Sequence, residues 1–221
     1  MKNIQIADLS KTIKKFVDSD YNRKDGRYKS WEFCYKYFHK IFKKNKINEK
    51  ERDYASLMLA FYLASWGMYR GSSFLFKDYT YTIHKKAIDI LFKYKKIFTH
   101  DVITNSEKES LFELIEKLEN YYKKLKLETS NKHNVEVSKT LISKIIMGVS
   151  GIIPAYDRNV KKELKRRRLS QTLSRAGYED LWKLYQENQQ EINKLSKLYK
   201  KYPPMKILDM YLWKKGSDIK D

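Results

Sequence analysis

The sequence predicts an all-α protein, a single helical domain of about nine helices over residues 1–221. Apolar residues recur at i, i+3, i+4 spacing along almost the whole chain, and no run alternates in the manner of a strand. Seven glycines and three prolines are too few for a sandwich or barrel, which needs a turn about every ten residues.

Ile6, Leu9, Ile13, Phe16 and Val17 form the first stripe, followed by a polar loop over 18–29 with Asn22 and Asp25-Gly26 as turn residues. Trp31, Cys34, Tyr35, Phe38, Ile41 and Phe42 form the second. Asn48 and Glu51 have capping-box spacing and open a third helix, charge-free from Tyr54 to Tyr69 and ending near Trp66-Gly67. A fourth carries Ile83, Ala87, Ile90, Leu91 and Tyr94. Ser106 and Glu109 have the spacing to cap a fifth, whose face is Leu111, Leu114, Ile115, Leu118, Tyr121 and Tyr122. The polar stretch 127–134 reads as a loop and is the one place where two helical lobes could divide. Residues 135–149 are apolar on most sides and read as a central helix, stopped by Gly148, Gly151 and Pro154. A short basic helix begins near Asp157 and a long charged one covers 178–202. Pro203-Pro204 break it before a last amphipathic helix over 205–214.

Composition narrows the function. Lys+Arg 47 against Asp+Glu 27 gives a net charge of +20. Such a surplus favours a polyanionic partner, with nucleic acid expected and duplex DNA favoured. One cysteine, Cys34, excludes a disulfide framework, and four dispersed histidines announce no metal site, so no cofactor is expected. The charge-free run of 16 residues from Tyr54 to Tyr69 falls short of the roughly 20 that span a bilayer. The first residues, Met-Lys-Asn-Ile-Gln-Ile-Ala-Asp, reach an acid before an apolar leader builds up. No membrane partner and a cytoplasmic location are therefore expected, while the oligomeric state stays open.

Three segments carry candidate chemistry. In Arg70-Gly71-Ser72-Ser73 a buried helix empties into a turn with hydroxyls, free N–H groups and a guanidinium, a combination suited to phosphate. An ordinary glycine-capped helix end has the same letters. The second segment, 138–160, runs from the central helix through Pro154 to Asp157, the natural N-cap of the basic helix. Lys144 is the only charge between Thr140 and Tyr156, and a charge in an apolar helix is costly unless it snorkels, pairs or serves a cavity. The third segment is the cationic run Arg158, Asn159, Lys161, Lys162, Lys165, Arg166, Arg167 and Arg168, with Arg175 beyond it. Its density favours phosphates through counterion release. Tyr79, Tyr81 and Tyr156, near turns, are candidates to stack on bases.

The stretch Pro154-x-x-Asp157-x-Asn159-Val160, with Lys139-Thr140 18 residues before the aspartate, resembles the catalytic segment of the helix-hairpin-helix DNA glycosylases of the endonuclease III and 8-oxoguanine glycosylase type. The segment before Lys139 has no glycine, unlike that family's Gly-rich hairpin. The resemblance implies base-excision or damage-recognition chemistry at C1′ of a flipped nucleotide, with a lysine nucleophile and Asp157 as its carboxylate partner. Lys139 has the family's spacing, whereas Lys144 has the apolar surroundings that make an amine neutral. Five residues apart on a helix, they diverge by roughly 140° and cannot both serve one site. Two alternatives stand beside this expectation: a non-enzymatic helical nucleic-acid-binding protein, and a defence or interaction protein without catalysis.

Overall fold

The computed structural model describes residues 4–21, 23–104, 106–130 and 136–220, and among these it contains ten α-helices and no strand. They are α1 (Leu9–Phe16), α2 (Lys29–Ile41), α3 (Glu49–Ser65), α4 (Phe74–Asp78), α5 (His84–Lys93), α6 (Lys108–Glu128), α7 (Lys139–Ser150), α8 (Arg158–Arg166), α9 (Arg175–Tyr199) and α10 (Pro204–Ser217). The all-α expectation holds. Asn22, Val135 and residues 131–134 of the stretch 127–134, His133 among them, lie outside the described residues, while α6 itself continues to Glu128.

Helix α7 is the central element. Leu141 through Ser150 are all buried, and α2, α3 and α6 pack around it. Trp31 on α2 donates its indole N–H to the Met147 carbonyl at 2.9 Å, and Gly148 allows the Tyr62 ring of α3 to lie on the α7 backbone. Cys34, one turn after Trp31, is fully buried in the same layer. A second set of helices, α1, α8 and α9, gathers around α10. One continuous apolar core connects both sets, running from Ile6 to Leu212.

The Asn48/Glu51 capping box forms as its spacing predicts, with Asn48 Oδ1 accepting from Glu51 N–H at 2.9 Å and Glu51 accepting in return from Asn48 N–H. The Ser106/Glu109 box does not form. Thr104 and Glu107 hold the start of α6 instead, while Glu109 turns outward to Arg175. The last helix differs more. It is not amphipathic: Pro204 through Leu212 are buried without a break, because α8, α9 and α1 surround it. Lys206 and Asp209 are thereby taken inside, where they pair at 2.8 Å and the Lys206 amine lies over the Trp31 ring.

Another buried polar group ties α5 to its neighbours. His84 is fully buried between the hydroxyls of Tyr69 and Tyr122, each 2.6 Å from a ring nitrogen. Burial lowers its pKa to about 3, so the ring is neutral. Tyr79 and Tyr81 bond to the Leu125 carbonyl and to Asp53, and Tyr156 is wholly buried. Tyr156 therefore has no face free for stacking, whereas Tyr79 and Tyr81 are half-buried and are held through their hydroxyls.

Candidate functional site

The two helix sets meet at the segment 151–157, and its course is fixed by three hydrogen bonds. Thr140 Oγ1 donates to the Tyr156 carbonyl at 2.7 Å, and Ser143 Oγ accepts from Tyr156 N–H at 2.8 Å. Asp209 on α10 accepts from Ala155 N–H at 3.0 Å. Together they fold the segment back along α7 and bring Asp157 to the start of α8. There its Oδ1 accepts from Val160 N–H at 3.1 Å as the N-cap. Gly216 completes the arrangement: a side chain there would strike the Asn159 backbone, so glycine lets α10 lie against the first turn of α8.

This folding sets Asp157 opposite Lys144. Nζ of Lys144 lies 4.0 Å from Asp157 Oδ2 and donates to the Trp66 carbonyl at 2.7 Å. The two side chains are 8% and 13% exposed, so both face solvent only through the cleft they line. Burial lowers the pKa of Lys144 against the opposing pull of Asp157 and Asp209, and Arg70 and Arg27 push it down further. Burial likewise raises that of Asp157, which Lys144 and the Val160 N–H only partly offset. Desolvation outweighs pairing for both partners, which brings the neutral amine and neutral acid closer to neutral pH.

The cleft has a volume of about 540 Å³. Arg27, Arg70 and Arg158 stand around it with Lys144, and Asp157 is the only carboxylate among its described lining residues. Helices α7 and α8 both begin at its edge, with Ser138 and Asp157 as N-caps, so two positive dipole ends face it. Its aromatic side is Trp66 and Trp213, edge to face at 6.0 Å. The Arg27 guanidinium lies over both rings and over Tyr28, 5.3–5.9 Å from the centroids. Cations, helix starts and flat apolar rings on one concave surface suit a ligand that combines phosphate with an aromatic base.

Behind Lys144 and Asp157 lies a space of about 10 Å³, the size of one water, bounded also by Lys206 and Asp209. The site is thus backed by a second lysine–aspartate pair, deeper in the core.

Of the residues expected from the sequence, Lys144, Asp157, Arg158, Asn159 and Arg70 line this cleft. Lys139 does not approach Asp157: it points to the other side of α7 and pairs with Glu119 of α6. In the Arg70 turn, Gly67 and Gly71 take positive φ, +76° and +57°. A side chain at Gly67 would crowd the Arg70 guanidinium, so glycine lets that group fold back to the cleft. Ser73 uses its hydroxyl on the Met68 carbonyl at 2.6 Å, and it lines with Ser72 an adjoining groove instead. Gly71 supplies the turn and lines neither space.

The basic run divides in two. Arg167 is buried, not a surface cation: its guanidinium bonds Glu163 at 2.7 Å, Tyr211 Oη at 2.9 Å and the Gln5 carbonyl. Arg166 also bonds Glu163, through two nitrogens at 2.7 Å. One buried carboxylate therefore engages two of the arginines in the triplet. Lys162 donates to the Ile219 carbonyl, whereas Lys161, Lys165 and Arg168 make no ion pair among the described residues. Arg27 and Trp213 reach the cleft without having been expected there. Among the described residues, no group of three or more His, Cys, Asp or Glu is placed to hold a metal, and no helix is long and apolar enough to cross a membrane. Comparison with protein-family models, curated proteins and solved structures finds no match for this chain.

Proposed function

We propose that the cleft receives one nucleotide of a nucleic acid, duplex DNA being favoured, and that Lys144 and Asp157 act at its C1′ to release the base. The supporting observation is the 4.0 Å approach of a desolvated amine to a desolvated carboxyl in an open cleft rimmed by three arginines. The resemblance of 154–160 to the helix-hairpin-helix glycosylases supports the same chemistry.

In this reading the base lies against the aromatic side of the cleft formed by Trp66 and Trp213, and the arginines hold the flanking phosphates. The Lys144 lone pair bonds to C1′ while the C1′–N bond breaks, its electron pair leaving on the base, which takes up a proton. The surplus proton of the amine passes to Asp157. The C1′–O4′ bond then breaks, its electron pair leaving on O4′, which takes the proton back from Asp157, and the nitrogen lone pair forms an iminium between Nζ and C1′ that borohydride reduces to a permanent link.

A second reading has its own observation. The Lys144 amine already donates to Trp66, and Asp157 already caps α8, so both groups have structural tasks. In that reading the cleft binds nucleic acid without altering it.

Borohydride trapping on duplexes with an abasic site or 8-oxoguanine separates the two. The catalytic reading expects a covalent adduct from the wild type and from Lys139→Met, and none from Lys144→Met. Wild type that binds these duplexes and yields no adduct on either lesion leaves only the binding reading.

A further inference from the structure

A patch of exposed aromatic rings lies outside the cleft, one helical turn from its edge. Helices α2 and α3 run antiparallel, and both start from the cleft at one end: Arg27 stands just before α2, while Ala64 and Ser65 close α3. Away from the cleft, α3 presents Phe61, Met58 and Tyr54, which share one helical stripe with Ser65. Phe61 is one turn from the cleft edge, about 6 Å, and Tyr54 about 16 Å. On the facing side α2 presents Phe33 and then Tyr37, whose ring meets that of Tyr54 at 4.8 Å.

These rings are unusually open. Phe33 is 53% exposed and Tyr54 and Phe61 are each 49% exposed. They line a groove of about 450 Å³ whose remaining residues are Lys36 and Lys40, one helical turn apart. An apolar core contact would not alternate with exposed lysines in this way. Ring faces beside a row of cations, one helical turn along α3 from an arginine-rimmed cleft, match a strand whose bases are unpaired and whose backbone is anionic.

We infer that the α2–α3 groove is a track for a single-stranded segment of nucleic acid, a few nucleotides long, leading into the cleft. This deepens the functional reading above and rests on it for the polarity of the track, because the cleft receives the target nucleotide. Phe33 and Phe61 stack on the bases nearest the cleft, and Lys36 and Lys40 neutralise phosphates farther out. The occupant is distinguished from an acidic protein helix by its unpaired bases: a flat ring face accepts any base, whereas a helix would need a complementary apolar ridge.

Fluorescence anisotropy with a labelled 12-mer of thymidylate tests this against a blunt duplex of equal length. Wild type is expected to bind the single strand, and Phe33→Ala and Phe61→Ala each to weaken that binding about 5- to 100-fold. The Lys36→Gln/Lys40→Gln variant is expected to lower the salt slope by about 0.7 per lysine removed. All three replace exposed side chains, so unchanged thermal melting excludes misfolding as the cause. Full affinity of the Phe33→Ala/Phe61→Ala variant for the single strand overturns the track. So does an α2–α3 patch that proves to be a self-association surface, seen as a wild-type dimer by light scattering that Phe61→Ala returns to monomer, or one that takes up an acidic helical peptide while the thymidylate strand does not bind. Loss of borohydride trapping in Lys144→Met with single-strand affinity intact marks the two sites as separable. If no duplex lesion traps while the aromatic variants still lose strand binding, the track stands and only the cleft chemistry fails.

Discussion

Ser143 accepts a 2.8 Å hydrogen bond from the backbone N–H of Tyr156, and through this bond one turn of α7 decides where the following aspartate stands. The donor is buried, so its loss would leave an N–H without an acceptor. Ser143→Ala is expected to cost about 1–3 kcal/mol, the penalty of a buried unsatisfied group. At this chain length that is roughly 2–4 °C of melting temperature per kcal/mol, readable by circular dichroism. A melt unchanged from wild type would mean that the 151–157 segment is held by Thr140 and Asp209 alone.

Asp157 has two tasks, and two substitutions divide them. Asparagine preserves a capping oxygen but removes the charge, while alanine removes both. Asp157→Ala is expected to lose about 1 kcal/mol of stability and Asp157→Asn only a few tenths. Both are expected to slow adduct formation by about 10²- to 10⁴-fold if the carboxylate handles the proton. Urea denaturation beside single-turnover trapping measures the two effects independently. Equal trapping by Asp157→Asn and wild type would reduce the residue to a cap.

Arg158 and Arg167 belong to one basic run yet should behave oppositely. Arg158 lies at the cleft rim, so Arg158→Ala is expected to leave stability nearly unchanged and lower the salt slope of duplex binding by about 1. Arg167→Ala strands the buried Glu163 carboxylate with only Arg166 and is expected to cost about 3–5 kcal/mol. Salt titration and urea midpoints on the same pair of variants check both halves.

His84 makes stability depend on pH. Its folded pKa of about 3 lies below the unfolded value near 6.5, so the unfolded chain binds the extra proton. The stability it contributes is complete above pH 6.5 and declines as pH falls towards 3. Between pH 7 and pH 5 the loss should be on the order of 2 kcal/mol. His84→Gln is expected to flatten that part of the profile in urea melts. An equally steep decline in the variant would assign it to other groups.

The helices were largely legible because amphipathic spacing reports burial directly, and α7, apolar on most sides, declared its central place. Lys144 was legible for the same reason: one charge in an apolar run has to be accounted for. Local spacing misled where tertiary packing decided the outcome. Lys206 and Asp209, at i and i+3 in 205–214, look like a surface ion pair, and only the helices around α10 put them inside. Arg167 looks like one more surface cation until Glu163, Tyr211 and the Gln5 carbonyl are found around it. Arg27 and Trp213 come from opposite ends of the chain, and nothing in either neighbourhood announces that they meet. The Lys139 spacing fitted a family pattern, but the helical phase of α7 directs that side chain to Glu119.

The buried position of Cys34 has a practical meaning. It is the only cysteine in the chain, it is fully buried, and burial pushes its thiol well above the ordinary range. The folded molecule is therefore silent towards maleimides and iodoacetamides at neutral pH. A cysteine introduced at Ser65, on the lip of the cleft, would be its sole reactive handle, giving a spin label or fluorophore one address without any background to remove.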